Sequence, residues 1–409
     1  MEHPLELDMY MTAGVGIVAL FLGMLFTRTV PLLKRLCIPV PVSGGLAVSL
    51  VTLACHGLLG VDFSFDGTLK DLCMMLFFTA VGFQSNLRVL RQGGKPLLVM
   101  VGLVALLIVA QNLLSLGIAR WMGVDPLVGM ATGSIPMSGG HGTSGGFAPV
   151  LEQMGLSGAS SLTMAAATFG LVAGSLIGGP LGGFLIRKRH LAEEGISDDT
   201  VRSIEAGEAA EQKRKKSPVS AEKSFRRYMQ AACQLFLAMA VGMGISRLLA
   251  LTGITFPTYF GALVAAALIR NVFGPSEGGG ALCVDEIVGI GDICLSLFLG
   301  MAMATLKLWE LSGLMLPLLV ILLSQAVFIV LYAAFVAYPA LGKDYDAAVL
   351  VSGLCGFGLG ATPNAMANMS AVCFKYHYSV KPFIIVPIIG AMFVDIINTG
   401  VITLFLNLL

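Results

Sequence analysis

GSIPMSGGHGTSGG, residues 133–146, is a glycine-rich segment within an otherwise apolar chain. Gly139 and Thr143 within it match Gly358 and Thr362 of a second glycine-rich stretch, SGLCGFGLGATPN at 352–364, about 219 residues later. Internal repeats in a hydrophobic chain are typical of secondary transporters, whose substrate site lies between the two halves. Other residues repeat at nearly the same offset: Leu22-Gly23-Met24 with Val241-Gly242-Met243, Thr27-Arg28 with Ser246-Arg247, Pro39 with Pro257, Leu76-Phe77 with Leu297-Phe298, and Gly170 with Gly390.

Composition predicts that lipid surrounds most of the chain. Of its 409 residues, 56% are hydrophobic and 12% are charged, and the mean hydropathy is +0.87. Soluble proteins carry roughly 25% charged residues, so a membrane protein is expected. The near balance of 25 basic and 24 acidic residues argues against a nucleic-acid partner. The eight cysteines are scattered singly without a C-x-x-C pair, which argues against a metal centre or a disulfide framework.

Each repeat contains five apolar stretches of about 20 residues, long enough to cross a hydrocarbon core of ~30 Å. We therefore predict an all-α polytopic membrane protein with repeats at 1–186 and 228–409 and a charged linker at 187–227. Between the fourth and fifth spans of each repeat lies a glycine-rich segment too irregular to cross, at 127–150 and 346–370. The predicted spans are 11–30, 38–60, 69–87, 96–119, 162–186, 228–250, 256–271, 290–309, 313–338 and 382–406, and several should bend at Gly or Pro.

The distribution of Lys and Arg predicts the orientation. With the N-terminus outside, Lys70, Arg120, Arg247 and Lys307 are the only basic residues on the outer side. Both termini would then lie outside and the linker in the cytoplasm. An odd number of spans inverts the second repeat, so the two glycine-rich segments would enter as re-entrant hairpins from opposite faces and meet near the midplane. The predicted cytoplasmic basic residues are Lys34, Arg35, Arg88, Arg91, Lys95, those of the Arg187–Arg227 stretch, Arg270, Lys343, Lys375 and Lys381.

The glycine-rich segments are the predicted binding site. Unwound backbone in lipid is tolerated only where it lines a cavity, because its N–H and C=O groups need partners. A half-helix N-terminus offers free N–H groups and partial positive charge to a carboxylate, whereas carbonyl groups at the opposite end suit a small cation. Thr143 and Thr362 are the predicted caps of the returning half-helices, with Pro363 at a first helical position. The alternative is glycine-mediated packing of ordinary helices.

Polar residues inside apolar spans complete the candidate site, because they are costly there unless they have a function. Asp395 could coordinate Na⁺, couple protons or pair with a substrate ammonium group, and a helix–helix hydrogen bond is the alternative. Gln111, Asn112 and Gln325 could line a cavity or join helices. The predicted substrate-binding residues are Ser138, Gly139, Gly140, His141, Gly142, Thr143, Ser144, Gly358, Gly360, Thr362, Asn364, Asn368 and Asp395, and the predicted Na⁺ ligands are Asp395, Asn398, Gly356 and Gly358.

Two enzyme motifs also occur in these segments. Residues 142–146 fit the G-x-S-x-G nucleophile elbow, but that motif needs a strand–turn–helix and an acidic partner. Residues 356–361 resemble a dinucleotide fingerprint, but no βαβ unit surrounds them. We therefore predict that the chain is not an enzyme and has neither catalytic residues nor a cofactor.

Several motifs resemble those of the bacterial sodium/glutamate symporter family, from about residue 14 to the C-terminus and outside the linker. The resemblance implies ten spans, two re-entrant loops and a bacterial inner-membrane location, so that the outer termini would be periplasmic. It also implies a homodimer in which a transport domain moves against a scaffold. The motifs are Ser138-Gly139-Gly140-His141-Gly142-Thr143, Gly356-Phe357-Gly358-Leu359-Gly360-Ala361-Thr362-Pro363, Pro39-x-Pro41-Val42-x-Gly44-Gly45-Leu46, Leu297-x-Leu299-x-Met301-x-Met303 with Lys307-Leu308-Trp309-Glu310-Leu311, and Lys343-x-Tyr345-Asp346-Ala347-Ala348-Val349-Leu350.

The predicted function is Na⁺-coupled uptake of L-glutamate or a related anion across the bilayer by alternating access. The helix starts near Thr143 and Thr362 would bind the carboxylates, and Asp395 would take the ammonium group or a sodium ion. A Na⁺- or H⁺-coupled dicarboxylate or citrate carrier would use the same segments without an ammonium partner. A passive channel is an alternative of another class, and an intramembrane enzyme using Ser144 is a remote one.

Overall fold

The fold is almost entirely α-helical in a computed structural model that describes residues 5–36, 38–86, 94–191, 221–251, 256–273 and 282–409. A short parallel pair, β1 (Leu5–Leu7) and β2 (Phe63–Phe65), joins two loops, with Leu5 opposite Phe63. The helices of the first half are α1 (Met9–Thr29), α2 (Pro31–Arg35), α3 (Val40–Ala54), α4 (Thr68–Gln84), α5 (Gly94–Trp121), α6 (Pro126–Ala131), α7 (Ser134–Met137), α8 (Gly140–Gln153) and α9 (Ala159–Arg189). Those of the second half are α10 (Ala221–Ala250), α11 (Phe260–Phe273), α12 (Val284–Ala304), α13 (Met315–Tyr332), α14 (Tyr338–Ala340), α15 (Tyr345–Gly358), α16 (Thr362–Lys375), α17 (Val380–Met392) and α18 (Val394–Leu406).

Seven helices within the described ranges are long and apolar enough to cross a membrane. They are α1, α3 with its π-helical extension to Leu59, α5, α9, α10 from Ser224, α12, and α13 continued to Ala340. The predicted spans at 69–87 and 256–271 coincide with α4 and α11, which are shorter at 17 and 14 residues. The prediction of an all-α polytopic membrane protein is confirmed, and the count of ten spans stays a prediction.

The last apolar stretch is broken rather than straight. α17 and α18 together are apolar enough to cross, but they are bent by 44° at the break. Pro387 lies inside α17, and Asp395 lies in the first turn of α18. The break therefore places the one acidic residue of this stretch beside a helix start, where the dipole favours negative charge.

The two glycine-rich segments hold corresponding places along the chain. The first consists of α6, α7 and α8 between the long helices α5 and α9, and the second consists of α15 and α16 between α13 and α17. Each segment is interrupted before its last helix, at Ser138–Gly139 and at Leu359–Ala361. That the two segments enter the membrane from opposite faces stays a prediction.

The flanking helices extend into both ends of the predicted charged linker. α9 continues to Arg189, and His190 ends it in the left-handed conformation with φ +52. On the other side α10 starts at Ala221. The centre of the predicted linker, 192–220, lies outside the described residues, as do Arg88 and Arg91.

The long helices pack into two bundles, and each bundle takes helices from both halves of the chain. In the first bundle, α4 packs on α11 and α12, α1 packs on α3 and α12, and α10 packs on α11. In the second bundle, α9 packs on α8, α15 and α16, with α5, α13, α17 and α18 around them. Phe78 of α4 stacks on Tyr259 with ring centroids 3.7 Å apart, which fixes the start of α11 within the first bundle.

A row of glycines brings α9 close to α15 and α16. A Cβ atom at Gly170 would overlap the Leu359 carbonyl oxygen, and one at Gly174 would come within 3.2 Å of the Gly356 carbonyl oxygen. Small residues four positions apart allow such close backbone approach between helices in lipid. The break between α15 and α16 is thus held against the backbone of α9.

Gly170→Ala should destabilise the protein by about 1–3 kcal/mol, because the new methyl group must displace a backbone carbonyl. Gly179→Ala is the matched control on the same helix, where a Cβ would meet only the Ala371 side chain at 3.9 Å. This control should stabilise the helix by roughly 0.5–1 kcal/mol. Thermal unfolding of both purified variants in detergent measures the difference, and equal melting temperatures would contradict the close approach of α9.

Candidate functional site

A cavity of about 250 Å³ lies between the two bundles. The second bundle contributes both glycine-rich breaks, through Ser138–Thr143 and Gly360–Pro363, together with Asp395 of α18. Cavities that hold drug-sized ligands begin at roughly 300 Å³, so this one suits a smaller molecule. The remaining wall residues are Pro39, Phe77, Leu295 and Leu299 from the first bundle and Leu171, Phe357, Gly390 and Val394 from the second.

The two breaks touch each other at the cavity. Gly140, the first residue of α8, has φ +60, and a Cβ atom there would come within 2.8 Å of the Gly360 carbonyl oxygen. Both the left-handed conformation and the close approach require glycine. The segments predicted to form one site are therefore in direct backbone contact.

The predicted helix caps are wrong in detail. Gly139 is the cap of α8, so that Thr143 lies a full turn inside the helix. Ala361 is the cap of α16, so that Thr362 is its first residue. Neither cap makes a side-chain hydrogen bond, because glycine and alanine have no acceptor. The threonine side chains are consequently not used in capping.

The two helix starts differ in how many N–H groups they offer. In α8 the first intrahelical bond runs from the Thr143 N–H to the Gly139 carbonyl, so the N–H groups of Gly140, His141 and Gly142 precede it. In α16 Pro363 has no N–H, and the Asn364 N–H donates to the Ala361 carbonyl. The start of α8 is therefore the stronger anion site of the two.

Gln111 of α5 joins the two breaks through its side-chain amide. Its Oε1 accepts from Ser138 Oγ at 2.6 Å, and its Nε2 donates to the Gly358 carbonyl at 2.7 Å. Gln325 of α13 donates to the Gln111 carbonyl at 2.9 Å. Asn112 accepts the N–H of Ser134 at 2.8 Å. These amides join helices, which was one of the two roles open from the sequence.

His141 and Asp395 are the titratable side chains on the cavity wall. His141 Nε2 lies 3.0 Å from Thr168 Oγ1, and that hydroxyl already donates to the Met164 carbonyl, so Nε2 is the donor to it. The Nδ1 atom of His141 is then the nitrogen left for other partners. Among the described residues, no Lys or Arg lines the cavity. Asp395 is the one carboxyl group on its wall, and in its ionised form it gives the cavity a negative formal charge.

Several predicted site residues lie off the cavity wall. Asn364 and Asn368 donate to the Leu171 and Gly174 carbonyls of α9, both at 2.8 Å, and so tie α16 to α9. Ser144 Oγ donates to the Thr163 carbonyl at 3.4 Å, and Asn398 donates to the Ser134 carbonyl at 3.0 Å. The other two are glycines in packing contacts: Gly356 on Ala365, and Gly358 on Leu107 and Ile329. The structure brings Ser138–Thr143, Gly360, Thr362 and Asp395 together, and leaves these others behind the wall.

The apolar wall was not anticipated. Leu295 and Leu299 are ordinary residues of an apolar span, and nothing in their spacing separates them from lipid-facing neighbours. Pro39, Phe77 and Gly390 did carry a signal, because all three belong to the internal repeat. Repetition therefore marks the wall better than hydrophobicity does.

The nucleophile-elbow reading does not fit the fold. Residues 142–146 lie inside helix α8, and Ser144 is fully buried. An elbow needs a strand before the serine, so that the hydroxyl is exposed at a sharp turn. The glycines of this motif instead permit close packing, since a Cβ at Gly145 would overlap the ring of Phe298.

Comparisons with known proteins agree on one family. A family model described as Sodium/glutamate symporter matches residues 5–378. A sodium/glutamate symporter of Escherichia coli K12 is 40% identical over 405 residues, which cover 98% of each chain. A sodium/glutamate symporter of Haemophilus influenzae is 37% identical over 392 residues, covering 96% of this chain and 95% of the relative.

A double-mutant cycle should detect the bond between the Gln111 and Ser138 side chains. Gln111→Leu leaves the Ser138 hydroxyl and the Gly358 carbonyl unpaired, so it should cost about 1–3 kcal/mol. Combined with Ser138→Ala, the two changes should show a coupling energy of roughly 0.5–3 kcal/mol. Thr79→Val, whose hydroxyl bonds within α4, is the control and should add independently to Gln111→Leu. Thermal unfolding in detergent gives all of these values, and strict additivity for Gln111 with Ser138 would refute the bridge.

Proposed function

This chain belongs to the sodium/glutamate symporter family, and we propose that it is a secondary transporter that couples uptake of L-glutamate to Na⁺ moving down its gradient. The observation that carries the proposal is the cavity between the bundles, where two helix starts meet the half-buried carboxyl group of Asp395. Helix starts attract carboxylates and Asp395 attracts cations, so the cavity offers partners for an anionic amino acid and for Na⁺. No step requires a covalent change in the protein, and no cofactor is needed.

In the proposed bound state, one carboxylate of glutamate lies at the start of α8. The N–H groups of Gly140, His141 and Gly142 precede the first helical hydrogen bond and are free to donate to it. The second carboxylate lies toward Thr362 at the start of α16, which lines the same cavity. Asp395 holds either the substrate ammonium group or a sodium ion. Ser138, Gly139 and Gly360 shape the cavity between these partners.

We propose that alternating access uses the division into two bundles. The second bundle carries both breaks and Asp395, whereas the first presents the mainly apolar residues Pro39, Phe77, Leu295 and Leu299. Relative movement of the bundles would expose the cavity first to one side of the membrane and then to the other. We propose that the second bundle is the transport domain and the first is the scaffold.

The finer topology is also part of the proposal. We place ten spans in two inverted repeats, with α6–α8 and α15–α16 as re-entrant hairpins from opposite faces. The location is the bacterial inner membrane, with periplasmic termini and a cytoplasmic linker, because that orientation puts most Lys and Arg inside. A homodimer is the proposed assembly, which light scattering of the detergent-solubilised protein can test.

Uptake of radiolabelled L-glutamate into proteoliposomes tests the function directly. An inward Na⁺ gradient should drive accumulation above the outside concentration, and a choline gradient should not. Asp395→Asn should abolish gradient-driven accumulation while still inserting, because the cavity loses its one carboxylate. Equilibration without Na⁺ would identify a channel or facilitator. Stronger competition by unlabelled 2-oxoglutarate than by glutamate would identify a dicarboxylate carrier.

Reporter fusions test the orientation. Alkaline phosphatase is active only in the periplasm, so a fusion after Leu409 should be active in cells. A fluorescent protein that folds only in the cytoplasm, inserted at position 205 of the linker, should fluoresce. The reverse pattern for both reporters would invert the topology, and a mixed pattern would mean an even number of spans between them.

A further inference from the structure

We propose that a Na⁺ site lies behind the wall of the cavity, between Thr143 of α8 and Asn398 of α18, with Asp395 supplying the negative charge. The inference rests on the proposed Na⁺ coupling and names where the ion binds. Sodium is a hard cation that prefers oxygen ligands, such as the carbonyl, carboxylate and hydroxyl groups found at helix breaks. Two helices of this chain, α8 and α18, present such oxygens next to each other.

Two of these oxygens are buried and have no hydrogen-bond partner. Thr143 is 1% exposed and Asn398 is 0% exposed, yet neither Thr143 Oγ1 nor Asn398 Oδ1 meets a donor among the described residues. A buried polar atom without a partner costs about 1–3 kcal/mol. Such atoms in a native fold call for a bound ion or water.

The two residues lie next to each other at Gly139. A Cβ atom on Gly139 would lie 2.5 Å from Thr143 Oγ1 and 2.6 Å from Asn398 Nδ2, so the two side chains leave no room for a larger residue there. Asn398 Nδ2 donates to the Ser134 carbonyl at 3.0 Å, which holds the amide and directs Oδ1 elsewhere. The Thr143 and Asn398 side chains are therefore close enough for one ion to bind both.

Asp395 provides the charge that an isolated sodium ion needs. It lies three residues before Asn398, so the two side chains share a face of α18. Its carboxylate has no hydrogen-bond or ion-pair partner among the described residues, and it lines the cavity. With no Lys or Arg on the described wall, an empty site would repel an anionic substrate through Asp395. A sodium ion bound there before the substrate would neutralise this charge.

The carbonyl groups predicted as Na⁺ ligands from the sequence are less suited. The Gly358 carbonyl already accepts from Gln111 Nε2 at 2.7 Å, and the Gly356 carbonyl accepts from the Ala361 N–H at 3.2 Å. Both carbonyl oxygens therefore already have a hydrogen-bond donor, unlike the oxygens of Thr143 and Asn398. Of the predicted set, Asp395 and Asn398 are retained, and the Thr143 hydroxyl replaces the two carbonyl groups.

Thr143→Val is the decisive variant, because it keeps the shape of the side chain and removes only the unpartnered oxygen. Thermal unfolding in detergent without glutamate is followed while NaCl replaces choline chloride at constant ionic strength. Wild-type protein should gain stability with Na⁺ through ion binding to the folded state. In Thr143→Val the half-saturating Na⁺ concentration should rise by about tenfold or more. Its stability in choline alone should be equal or higher, since an unpaired buried hydroxyl is removed.

Two further variants separate a ligand from a packing role. Thr403→Val makes the same change on α18, at a buried hydroxyl that also lacks a partner but lies outside the cavity wall, and it should keep the wild-type Na⁺ response. Thr143→Ser retains the oxygen and should restore Na⁺ affinity to within about threefold of wild type. Transport should agree, with the half-saturating Na⁺ concentration raised in Thr143→Val and unchanged in Thr403→Val.

An unchanged Na⁺ response in Thr143→Val, or an equal loss in Thr403→Val, would overturn the site. Failure of Thr143→Ser to recover Na⁺ affinity would do the same. These outcomes leave the proposed function standing as long as wild-type uptake follows the Na⁺ gradient. Wild-type uptake that does not depend on Na⁺ would instead contradict the proposed function itself.

Discussion

The need to satisfy backbone groups inside lipid governs this structure. Two helix breaks interrupt the backbone hydrogen bonding within a bundle of apolar helices, and each unpaired group in lipid costs several kcal/mol. Uncharged amide side chains meet part of this need. Gln111 serves the Gly358 carbonyl, Asn398 serves that of Ser134, and Asn364 and Asn368 tie α16 to α9. Because amides carry no charge, they stabilise the breaks without adding further charge to a cavity that has a single carboxylate.

The same arrangement divides the chemistry of the cavity between its two walls. Groups able to bind a polar ligand belong to the second bundle, whereas Phe77, Leu295 and Leu299 of the first offer only apolar surface. A mainly apolar wall can move past a bound ligand without breaking hydrogen bonds to it. In the proposed mechanism, this asymmetry lets the second bundle carry its ligands as a unit. The fixed contacts of α9 with α15 and α16 would keep that unit rigid.

Much of this could be predicted from the sequence, because the internal repeat and the apolar spans are long-range patterns. The glycine-rich segments and Asp395 were identified as one site, and the cavity does bring them together. Thr143 and Thr362 were misplaced as caps because a cap depends on backbone angles at one residue, and glycine or alanine can hold that position. Asn364 and Asn368 share a helix with Thr362 but turn toward α9, since helix rotation is set by tertiary packing. Which apolar residues of the first bundle form the wall depends on how two bundles meet, and periodicity within one segment carries no such information.

Each bundle draws on both halves of the chain, and this has a consequence for how the protein is made. When the first half leaves the ribosome, Gln111 has Ser138 to bind but no Gly358 carbonyl, and the α9 glycines have no α15 or α16 to meet. The helices of the first half must therefore remain in the bilayer with polar groups and glycine surfaces uncovered until synthesis is nearly complete. Biogenesis has to protect this half-built state, and a chain stalled in the linker would be a natural substrate for membrane quality control.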